Sequence, residues 1–247
     1  MKVLLIGDSC EDRYFYGDVK RLNPEAPVPI LEYKRGVTSK GMVWNVRENL
    51  MSFRVETYTS THPEKIIKTR FIDEKSNQQI LRSDEEPEIQ PLSFDFPSEW
   101  NNLYDALVIS DYDKGFITQE KLFELSNWFQ GPVFIDTKKT CIPGNAFIKV
   151  NESEFKKITH FIPDNMIITK GGEGTEYQGK LYPAEKVNVF DVVGAGDTFL
   201  AALTYGYLKY GRMEEAIPLA NKAAAVAVSH RGTYILTQED VDEIFKD

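Results

Sequence analysis

The feature that most constrains the fold is a regular alternation of short apolar stretches with helical ones in the second half of the chain. From residue 104 onward, DALVISD, PVFIDT, AFIKVN and NMIITKG are predicted as strands, and TQEKLFELSNWFQ and ESEFKKITHF as the helices among them. Short strands that alternate with helices are typical of a parallel sheet with helices on its faces. The sequence therefore predicts an α/β fold with a mostly parallel central sheet.

Each of the four predicted strands ends in, or close to, a polar residue. These residues are Asp111, Asp136, Asn151 and Lys170. In open α/β sheets the ligand crevice lies outside the carboxyl ends of the strands. A polar residue can simply end a strand, but four in succession favour a ligand crevice at this edge of the sheet.

The first half of the chain lacks this alternation. KVLLIGD is predicted as a buried strand that leads into a site, GMVWNVRENLMSF as a helix, and KTRFID and QQILRSD as an antiparallel pair. Residues 13–35 carry three prolines and no helical period, so they are predicted as a loop and one partly exposed strand. We expect a single domain over residues 1–247, with small β lid segments near 13–35 and 66–82.

After residue 198 the sequence becomes helical. TFLAALTYGYLKYG, MEEAIPLANKAAAVAVSH and TQEDVDEIFKD are predicted as helices. The last of them begins with Thr237, and Asp240 follows three residues later, which is close to the capping-box pattern.

Charge and composition narrow the classes of partner. The net charge of −9 argues against a nucleic-acid partner, because phosphate backbones require a basic surface. Two distant cysteines (Cys10, Cys141) and the absence of a signal-type segment predict a reduced, cytoplasmic setting, and the apolar runs are too short for a membrane span. The histidines (His62, His160, His230) are scattered and show no zinc-binding spacing.

The segment DVVGAGDTF carries the strongest indication of chemistry. Gly194 and Gly196 allow backbone amides to converge on one point, and a helix predicted to begin near Ala195 adds the positive end of its dipole. Such a site would stabilise charge on a phosphoryl group in transfer, and Asp197 could take a proton from an attacking hydroxyl. The alternative is a plain helix start with an aspartate in its first turn.

This segment resembles the C-terminal signature D-T-x-G-A-G-D of the ribokinase-like (PfkB-type) carbohydrate kinases. The resemblance implies a three-layer α/β/α fold with a small β lid. It also implies that Asp197 is the catalytic base, that Gly194, Ala195 and Gly196 form an anion hole, and that Asp191 lies near the phosphates and cations. Val192 stands where the family commonly has Thr, so a weaker polar contact is expected there.

Three further segments extend the resemblance to the nucleotide site. KVNESEF is similar to the family's N-x-x-E motif, which implies that Asn151 and Glu154 organise Mg²⁺ through water. ITKGGEGTEY resembles the strand and turn that flank ATP, and ANKAAAVAVSHRGT the helix and loop beside the adenine, where members often need K⁺. The residues so assigned to the nucleotide, besides Asp191, are Thr169, Lys170, Gly172, Gly174, Asn221, Gly232 and Thr233.

One branch of the family is the most similar. GDSCEDRYFYGDVKRLNPEAPVPILE, SNQQILRSDEE, VISDYDKGFIT and VFIDTKK resemble the bacterial heptose-7-phosphate kinases, so the similarity covers most of residues 3–50 and 66–240. The implied reaction is ATP-dependent phosphorylation of the anomeric hydroxyl of D-glycero-D-manno-heptose 7-phosphate. We expect a kinase without an adenylyltransferase half, and a homodimer paired through the lid, as is common in the family.

The sugar phosphate requires hydrogen-bonding and cationic side chains. Asp12 could accept hydrogen bonds from sugar hydroxyls, and Arg47 and Lys114 are candidate cations besides Arg82 and Lys138, although each cation taken alone fits a solvated surface charge better. The predicted substrate-binding residues are Asp12, Gly41, Asn45, Arg82, Asp111 and Lys138.

Two departures from the family pattern leave alternatives open. SKGMVWNVREN keeps Gly41 and Asn45 of the sugar-contacting signature but carries bulky Met42 and Trp44, and the segment before KTRFID is shorter than in the family. The acceptor could therefore be another sugar or a nucleoside. A catalytically silent kinase-like protein that binds or regulates is the remaining alternative.

Overall fold

The computed structural model describes residues 1–158 and 164–246, which form two compact units. The larger unit comprises Met1–Asp8, Met42–His62 and the chain from Ile89 onward, and the smaller unit comprises Ser9–Gly41 and Pro63–Glu88. The end of the predicted helix ESEFKKITHF, with His160, lies outside the described residues.

The larger unit contains an eight-stranded sheet. Its strands are β1 (Lys2–Gly7), β4 (Glu56–Ser60), β7 (Ala106–Asp111), β8 (Val133–Thr137), β9 (Phe147–Asn151), β10 (Met166–Thr169), β11 (Gly174–Tyr177) and β12 (Lys180–Pro183). Their spatial order is β12-β11-β10-β9-β8-β7-β1-β4. The six strands from β10 to β4 are parallel, and β11 and β12 are antiparallel to their neighbours.

The helices of the described residues belong to the larger unit. They are α1 (Val43–Ser52), α2 (Gln119–Trp128), α3 (Glu152–Phe155), α4 (Ala195–Tyr210), α5 (Met213–Val228) and α6 (Gln238–Ile244). A 3₁₀ turn, Gly171–Glu173, joins β10 to β11.

Alternating strand residues build a core on each face of the sheet. Val3 and Leu5 of β1 pack in one cluster with buried residues of α1, α4, α5 and α6. Leu4 and Ile6 of the same strand, and Leu122 of α2, are equally buried but are not part of that cluster. Burial of both faces is the normal condition of a parallel sheet and gives the three-layer α/β/α arrangement that the resemblance implied.

The smaller unit contains a four-stranded sheet. Its strands are β2 (Ser9–Leu22), β3 (Pro29–Met42), β5 (Ile66–Asp73) and β6 (Gln78–Glu85), in the order β3-β2-β5-β6. β2 and β5 are parallel, and β5 and β6 are antiparallel. The lid segments near 13–35 and 66–82 lie within this unit, and their role as a lid stays a prediction.

The structure confirms most of the predicted elements, including the parallel sheet, the helix α1, the β5–β6 pair and the Thr237–Asp240 capping box. The prediction of a loop and one partly exposed strand for residues 13–35 was wrong for residues 13–22, which belong to β2, whereas residues 23–28 are a connection and an exposed strand, β3, begins at Pro29. Pro24 and Pro27 lie in the connection between these strands, and Pro29 is the first residue of β3, where a missing amide interrupts no ladder.

Two further observations concern the helices. α3 is a single turn rather than the predicted long helix, because Lys156 already forms its C-cap. Within the described parts of the chain, the helices lack the combined length and apolar character that crossing a membrane requires.

Candidate active site

Asp197 lies in the first turn of α4 and is 2% exposed. The Tyr112 hydroxyl donates a hydrogen bond to Oδ1 (2.7 Å), and Nδ2 of Asn45 donates to Oδ2 (3.1 Å). The same Asn45 amide also donates to the carbonyl oxygen of Gly194 (3.1 Å). One donor on each oxygen holds the carboxylate in a single orientation.

Burial raises the pKa of Asp197 to about 6, against the opposing effect of the hydrogen bonds from Tyr112 and Asn45. Desolvation disfavours the charged form of a carboxyl group, whereas donors to the carboxylate favour it. Near neutral pH the carboxylate is therefore mostly ionised and is still basic enough to accept a proton, which is the condition of a general base.

The glycines before and inside α4 are required by close contacts. Gly194 is the N-cap with φ of 80°, and a Cβ there would lie 2.6 Å from Nδ2 of Asn45. A Cβ on Gly196 would lie 2.8 Å from Nζ of Lys149. The first backbone bond inside the helix runs from the amide of Thr198 to Gly194 (3.0 Å). The amides of Ala195, Gly196 and Asp197 come before this bond and have no acceptor within the helix, as at any helix N-terminus.

Lys149 of β9 is a cation beside this turn. It is 5% exposed, and its Nζ donates to Oδ2 of Asp136, the end of β8, at 2.6 Å. Burial alone would lower the pKa of Lys149, but the ion pair with Asp136 outweighs it and raises the pKa. The ammonium therefore stays charged.

A cavity of about 570 Å³ opens next to this turn within the larger unit. Of the predicted nucleotide residues, it is lined by Thr169, Gly172, Gly174 and Asn221. Of the remaining predicted site residues, Asn151, Ala195 and Gly196 line it. The structure adds an apolar wall that sequence reasoning missed, made of Val187, Val189, Val192, Phe199, Ala224, Ala225 and Val228. An apolar wall with a few convergent polar groups is typical of a small-molecule site.

The other predicted nucleotide residues are not part of the cavity lining. Lys170 pairs with Glu176 (2.5 Å). Asp191 accepts hydrogen bonds from the amides of Val193 and Gly232, both at 3.0 Å, and so joins the segment before α4 to the segment after α5.

Thr233 lies beside the glycine turn. A Cβ on Gly194 would lie 3.2 Å from its methyl carbon. Its hydroxyl oxygen is buried and has no hydrogen-bond partner among residues 1–158 and 164–246.

Asn221 lines the cavity, but its amide group is occupied. It accepts a hydrogen bond from Thr175 (2.7 Å) and donates to the carbonyl oxygens of Tyr182 (2.9 Å) and Pro183 (3.2 Å). These contacts anchor α5 to β11 and β12, so the side chain shapes the cavity rather than offering its amide to a ligand.

Asn151 and Glu154 form a capping box around α3. Oδ1 of Asn151 accepts from the Glu154 amide (2.9 Å), Oε2 of Glu154 accepts from the Asn151 amide (2.8 Å), and Oε1 pairs with Lys138. Burial would raise the pKa of Glu154, but the Asn151 amide and Lys138 lower it, so the carboxylate is ionised. The described residues contain no group of three His, Cys, Asp or Glu that could hold a metal, and the magnesium role stays a prediction.

Two predicted substrate residues at the sheet edge have close partners. Asp111 is buried, accepts from the Thr137 hydroxyl (2.6 Å) and pairs with Lys139 (3.2 Å). The Lys138 ammonium lies 5.1 Å from the centre of the Tyr112 ring, the same ring whose hydroxyl binds Asp197. Lys138 thus lies near the side chains that surround Asp197, whereas Asp111 binds residues at and after the end of β8.

The other predicted substrate residues, apart from Asn45, belong to the smaller unit. Asp12 is 3% exposed, pairs with Arg70, and accepts from the Cys10 thiol at 3.6 Å. A Cβ on Gly41 would lie 2.3 Å from Oδ2 of Asp12. Arg82 pairs with Asp84 (2.9 Å) on an exposed strand. Arg70, the partner of Asp12, was not predicted.

Sequence reasoning also missed Tyr112 and Lys149. Tyr112 directly follows a strand-ending aspartate, a position where ligand-facing residues are common. Lys149 interrupts the apolar strand FIKVN, and a lysine inside a buried strand is rare unless it is paired. That interruption was a usable signal.

Comparison with known proteins finds similar sequences in one family. Residues 123–240 match the family model described as pfkB family carbohydrate kinase. Bifunctional protein HldE of a Nitratiruptor species is 30% identical over 98% of this chain and 64% of its own length. HldE of Pasteurella multocida is 30% identical over 98% of this chain and 63% of its own length. The chain therefore spans less than two thirds of these relatives.

Solved structures share the fold. Ribokinase from Thermotoga maritima has a TM-score of 0.70 at 18% identity and covers 99% of both chains. Arabidopsis thaliana ribokinase, complexed with ribose and ATP, has a TM-score of 0.72 at 16% identity over 99% of this chain and 98% of that chain. Escherichia coli phosphofructokinase-2 in complex with potassium has a TM-score of 0.70 at 16% identity over 98% and 97%.

These structures define the class of fold: the chain has the ribokinase fold. Residues 123–240 are similar to the pfkB carbohydrate kinases, and the similarity to the HldE proteins extends over nearly the whole chain.

Proposed function

We propose that this protein is an ATP-dependent sugar kinase whose acceptor is a sugar phosphate of the heptose 7-phosphate type. The observation that carries the proposal is the oriented carboxylate of Asp197, one residue after Gly196 at the start of α4. A general base beside the N-terminal amides of a helix is an arrangement suited to phosphoryl transfer to a hydroxyl.

The cavity beside Gly196 fits a nucleoside triphosphate. Its volume of about 570 Å³ and its apolar wall suit a purine, while Gly196 and Lys149 give it a positively polarised end. We infer that the base lies against the apolar wall and that the phosphates extend toward α4.

The transfer step then follows from the positions of the chain's own groups. Asp197 takes the proton of the acceptor hydroxyl, and that oxygen forms a bond to the γ-phosphorus. The bond from the γ-phosphorus to the bridging oxygen breaks, and ADP leaves with the electron pair. The amides at the start of α4 stabilise the negative charge of the transferred group.

Two cations belong to the proposal. Mg²⁺ bound to the phosphates would be held through water by Glu154, whose carboxylate oxygens already bind Lys138 and the Asn151 amide. K⁺ is proposed near the loop of Gly232 and Thr233, and the buried, unpartnered Thr233 hydroxyl among the described residues supports a ligand there.

The identity of the acceptor rests on the resemblance to the heptose kinases and to the HldE relatives. Within the smaller unit, Asp12 is paired with Arg70, so part of the hydrogen-bonding capacity of its carboxylate is already used. This pairing favours a second candidate, a kinase of the same family that acts on a different sugar or a nucleoside.

The test is ATP consumption over a panel of acceptors. The panel contains D-glycero-D-manno-heptose 7-phosphate, unphosphorylated heptose, fructose 6-phosphate, ribose and adenosine. We expect the highest kcat/KM with the heptose phosphate. Asp197→Asn should lower kcat by at least about 1,000-fold while ATP still binds, because the base is lost and the cavity is kept. Equal turnover in Asp197→Asn contradicts the mechanism, and no turnover with any acceptor favours a silent, binding protein.

A further inference from the structure

We propose that Asn49 is a positioning residue for the proposed base, because it holds the side chain of Asn45 as a hydrogen-bond donor to the carboxylate of Asp197. This inference rests on the proposed kinase function. It adds to that function a residue that neither the signature motif nor the predicted set of substrate-binding residues contained.

The burial of Asn49 has to be accounted for first. Asn49 lies inside α1, its neighbours Val46 and Leu50 belong to the hydrophobic core, and it is itself 0% exposed. Asparagine is a poor helix former, and a buried amide group costs stability unless its donors and its acceptor are satisfied. An apolar residue would pack at this position without that cost. A buried asparagine here therefore needs a reason beyond packing.

The side-chain amide of Asn49 forms hydrogen bonds at both ends. Nδ2 donates to the backbone carbonyl oxygen of Asn45 (2.9 Å), to the side-chain Oδ1 of Asn45 (3.0 Å) and to the carbonyl oxygen of Tyr234 (3.4 Å). Oδ1 accepts from the amide of Leu236 (3.1 Å). Because Asn45 and Asn49 are four residues apart in a helix, their side chains are neighbours on one face of α1. Asn49 thus joins Asn45 to the segment after α5.

A connection between α1 and the segment after α5 does not by itself require Asn49. Ser52, the last residue of the same helix, donates from Oγ to the carbonyl oxygen of Leu236 (2.6 Å). Asn49 differs from Ser52 in its bond to the side chain of Asn45. That bond is the one that leads to the proposed base.

The side chain of Asn45 connects Asn49 to Asp197. Oδ1 of Asn45 accepts from Asn49, and Nδ2 of Asn45 donates to Oδ2 of Asp197 (3.1 Å). The amino end of an amide group stabilises an ionised carboxylate, whereas its oxygen end would accept a hydrogen bond from a protonated one. Because Asn49 occupies the oxygen end, Asn45 keeps its amino end toward Asp197.

The role of Asn49 is one of orientation, and it takes no part in the transfer of the proton. The acceptor proton goes to Asp197, as in the proposed transfer step. The hydrogen bond from Asn45 lowers the pKa of Asp197 against the opposing effect of burial. Loss of Asn49 should weaken this bond and let the pKa rise, so that a smaller fraction of the protein carries the ionised base near neutral pH.

The experiment compares Asn49→Ala with Ser52→Ala, which removes a contact between the same helix and the same segment but leaves Asn45 bonded. For Asn49→Ala we expect the acidic limb of the kcat/KM profile to move upward by about half a pH unit and kcat to fall about tenfold. The KM for ATP should change less than about twofold, because neither Asn45 nor Asn49 lines the nucleotide-sized cavity. Ser52→Ala should keep the acidic limb and the kcat of the wild type.

A double-mutant cycle separates action through Asn45 from a general loss of packing. In the Asn45→Ala background there is no side-chain amide to orient, so Asn49→Ala should change kcat less than about twofold. A further tenfold fall in that background, or a wild-type acidic limb in Asn49→Ala, overturns the inference. If Asn49→Ala does not fold, Asn49→Leu fills the vacated space and carries the same expectations.

A titration that needs no turnover keeps the two proposals apart. Carbon NMR of protein with labelled aspartate follows the carboxyl carbon of Asp197, which is assigned by its disappearance in Asp197→Asn. The titration midpoint should rise in Asn49→Ala by the same amount as the acidic limb. A raised midpoint in a protein that phosphorylates no acceptor overturns the kinase function and supports the positioning of Asp197. An unchanged midpoint in a protein whose wild type is an active kinase overturns only the role of Asn49.

Discussion

Asp197 shows how individual side chains adjust one carboxylate for its task. Burial pushes its pKa upward, and the donors Tyr112 and Asn45 limit the rise, so that the value of about 6 is the balance of opposed effects. A carboxylate with a pKa well below this would be a weak base, and one well above it would be protonated at neutral pH. We therefore expect the residues that touch Asp197 to set the pH range over which it can act as the proposed base.

Tyr112→Phe should shift the pH dependence of the reaction. The Tyr112 hydroxyl stabilises the ionised form of Asp197, so its loss raises the pKa of the base. The acidic limb of the profile of kcat/KM, which reports the ionisation of the base, should then move upward by about one pH unit. Activity should fall about fivefold at pH 6 and change little above about pH 8.

The measurement is a pH–rate profile, with Tyr58→Phe as control because Tyr58 is exposed on β4. An acidic limb at the same pH in wild type and Tyr112→Phe would contradict the positioning role of the hydroxyl.

At the scale of secondary-structure elements, the start of α4 combines backbone geometry with tight packing. Gly194 has a positive φ, and the space where its Cβ would lie is filled by the Asn45 amide. Gly211 ends the same helix with φ of 70°, but no atom lies within 4 Å of its Cβ position. A side chain at Gly211 would therefore meet only conformational strain, whereas a side chain at Gly194 would meet both strain and a steric clash.

Gly194→Ala should therefore be more damaging than Gly211→Ala. Both substitutions impose a left-handed conformation on alanine and should cost about 1 kcal/mol of unfolding free energy. Only Gly194→Ala also displaces Asn45 from Asp197, so its kcat should fall by about 100-fold, while Gly211→Ala keeps wild-type kcat. Urea unfolding and steady-state kinetics measure the two effects, and equal kcat values in the two variants would show that the contact with Asn45 is unimportant.

The elements were predictable where the sequence pattern is local. The parallel strands are apolar runs bounded by polar residues, and the Gly-Ala-Gly turn and Asp197 form one contiguous sequence motif. Of the two long strands β2 and β3 only one was predicted, because the prolines in and after their connection interrupt the local strand pattern. Partners distant in sequence were equally hidden: Tyr112 reaches Asp197, and Lys149 reaches Gly196, only after the sheet has brought their strands together.

At the scale of the whole molecule, the net charge of −9 contrasts with the cations gathered at the site. An anionic ligand is repelled by the overall field, so its binding depends on local groups such as Lys149 and Lys138.

The exposed apolar residues of the smaller unit are the second large-scale feature. Tyr33 is 64% and Leu81 57% exposed on its sheet.

We expect these residues to pair two copies of the chain into a homodimer. Exposed apolar side chains grouped on one sheet are typical of an association surface. Tyr33→Glu and Leu81→Glu should each give a monomer in size-exclusion chromatography with light scattering. Leu103→Glu, at a residue 56% exposed in the larger unit, is the control and should leave the dimer intact. A monomeric wild-type protein would refute the expectation.

The two hydrogen bonds that Asp191 accepts, from the amides of Val193 and Gly232, have a consequence for nucleotide specificity. Because a single carboxylate joins the segment before α4 to the segment after α5, we expect the proposed purine-binding wall and the glycine turn of α4 to move together. A misfitting base, such as guanine in place of adenine, would then disturb the alignment of the chemistry as well as weaken occupancy. The two nucleotides would then differ in kcat as well as in binding affinity.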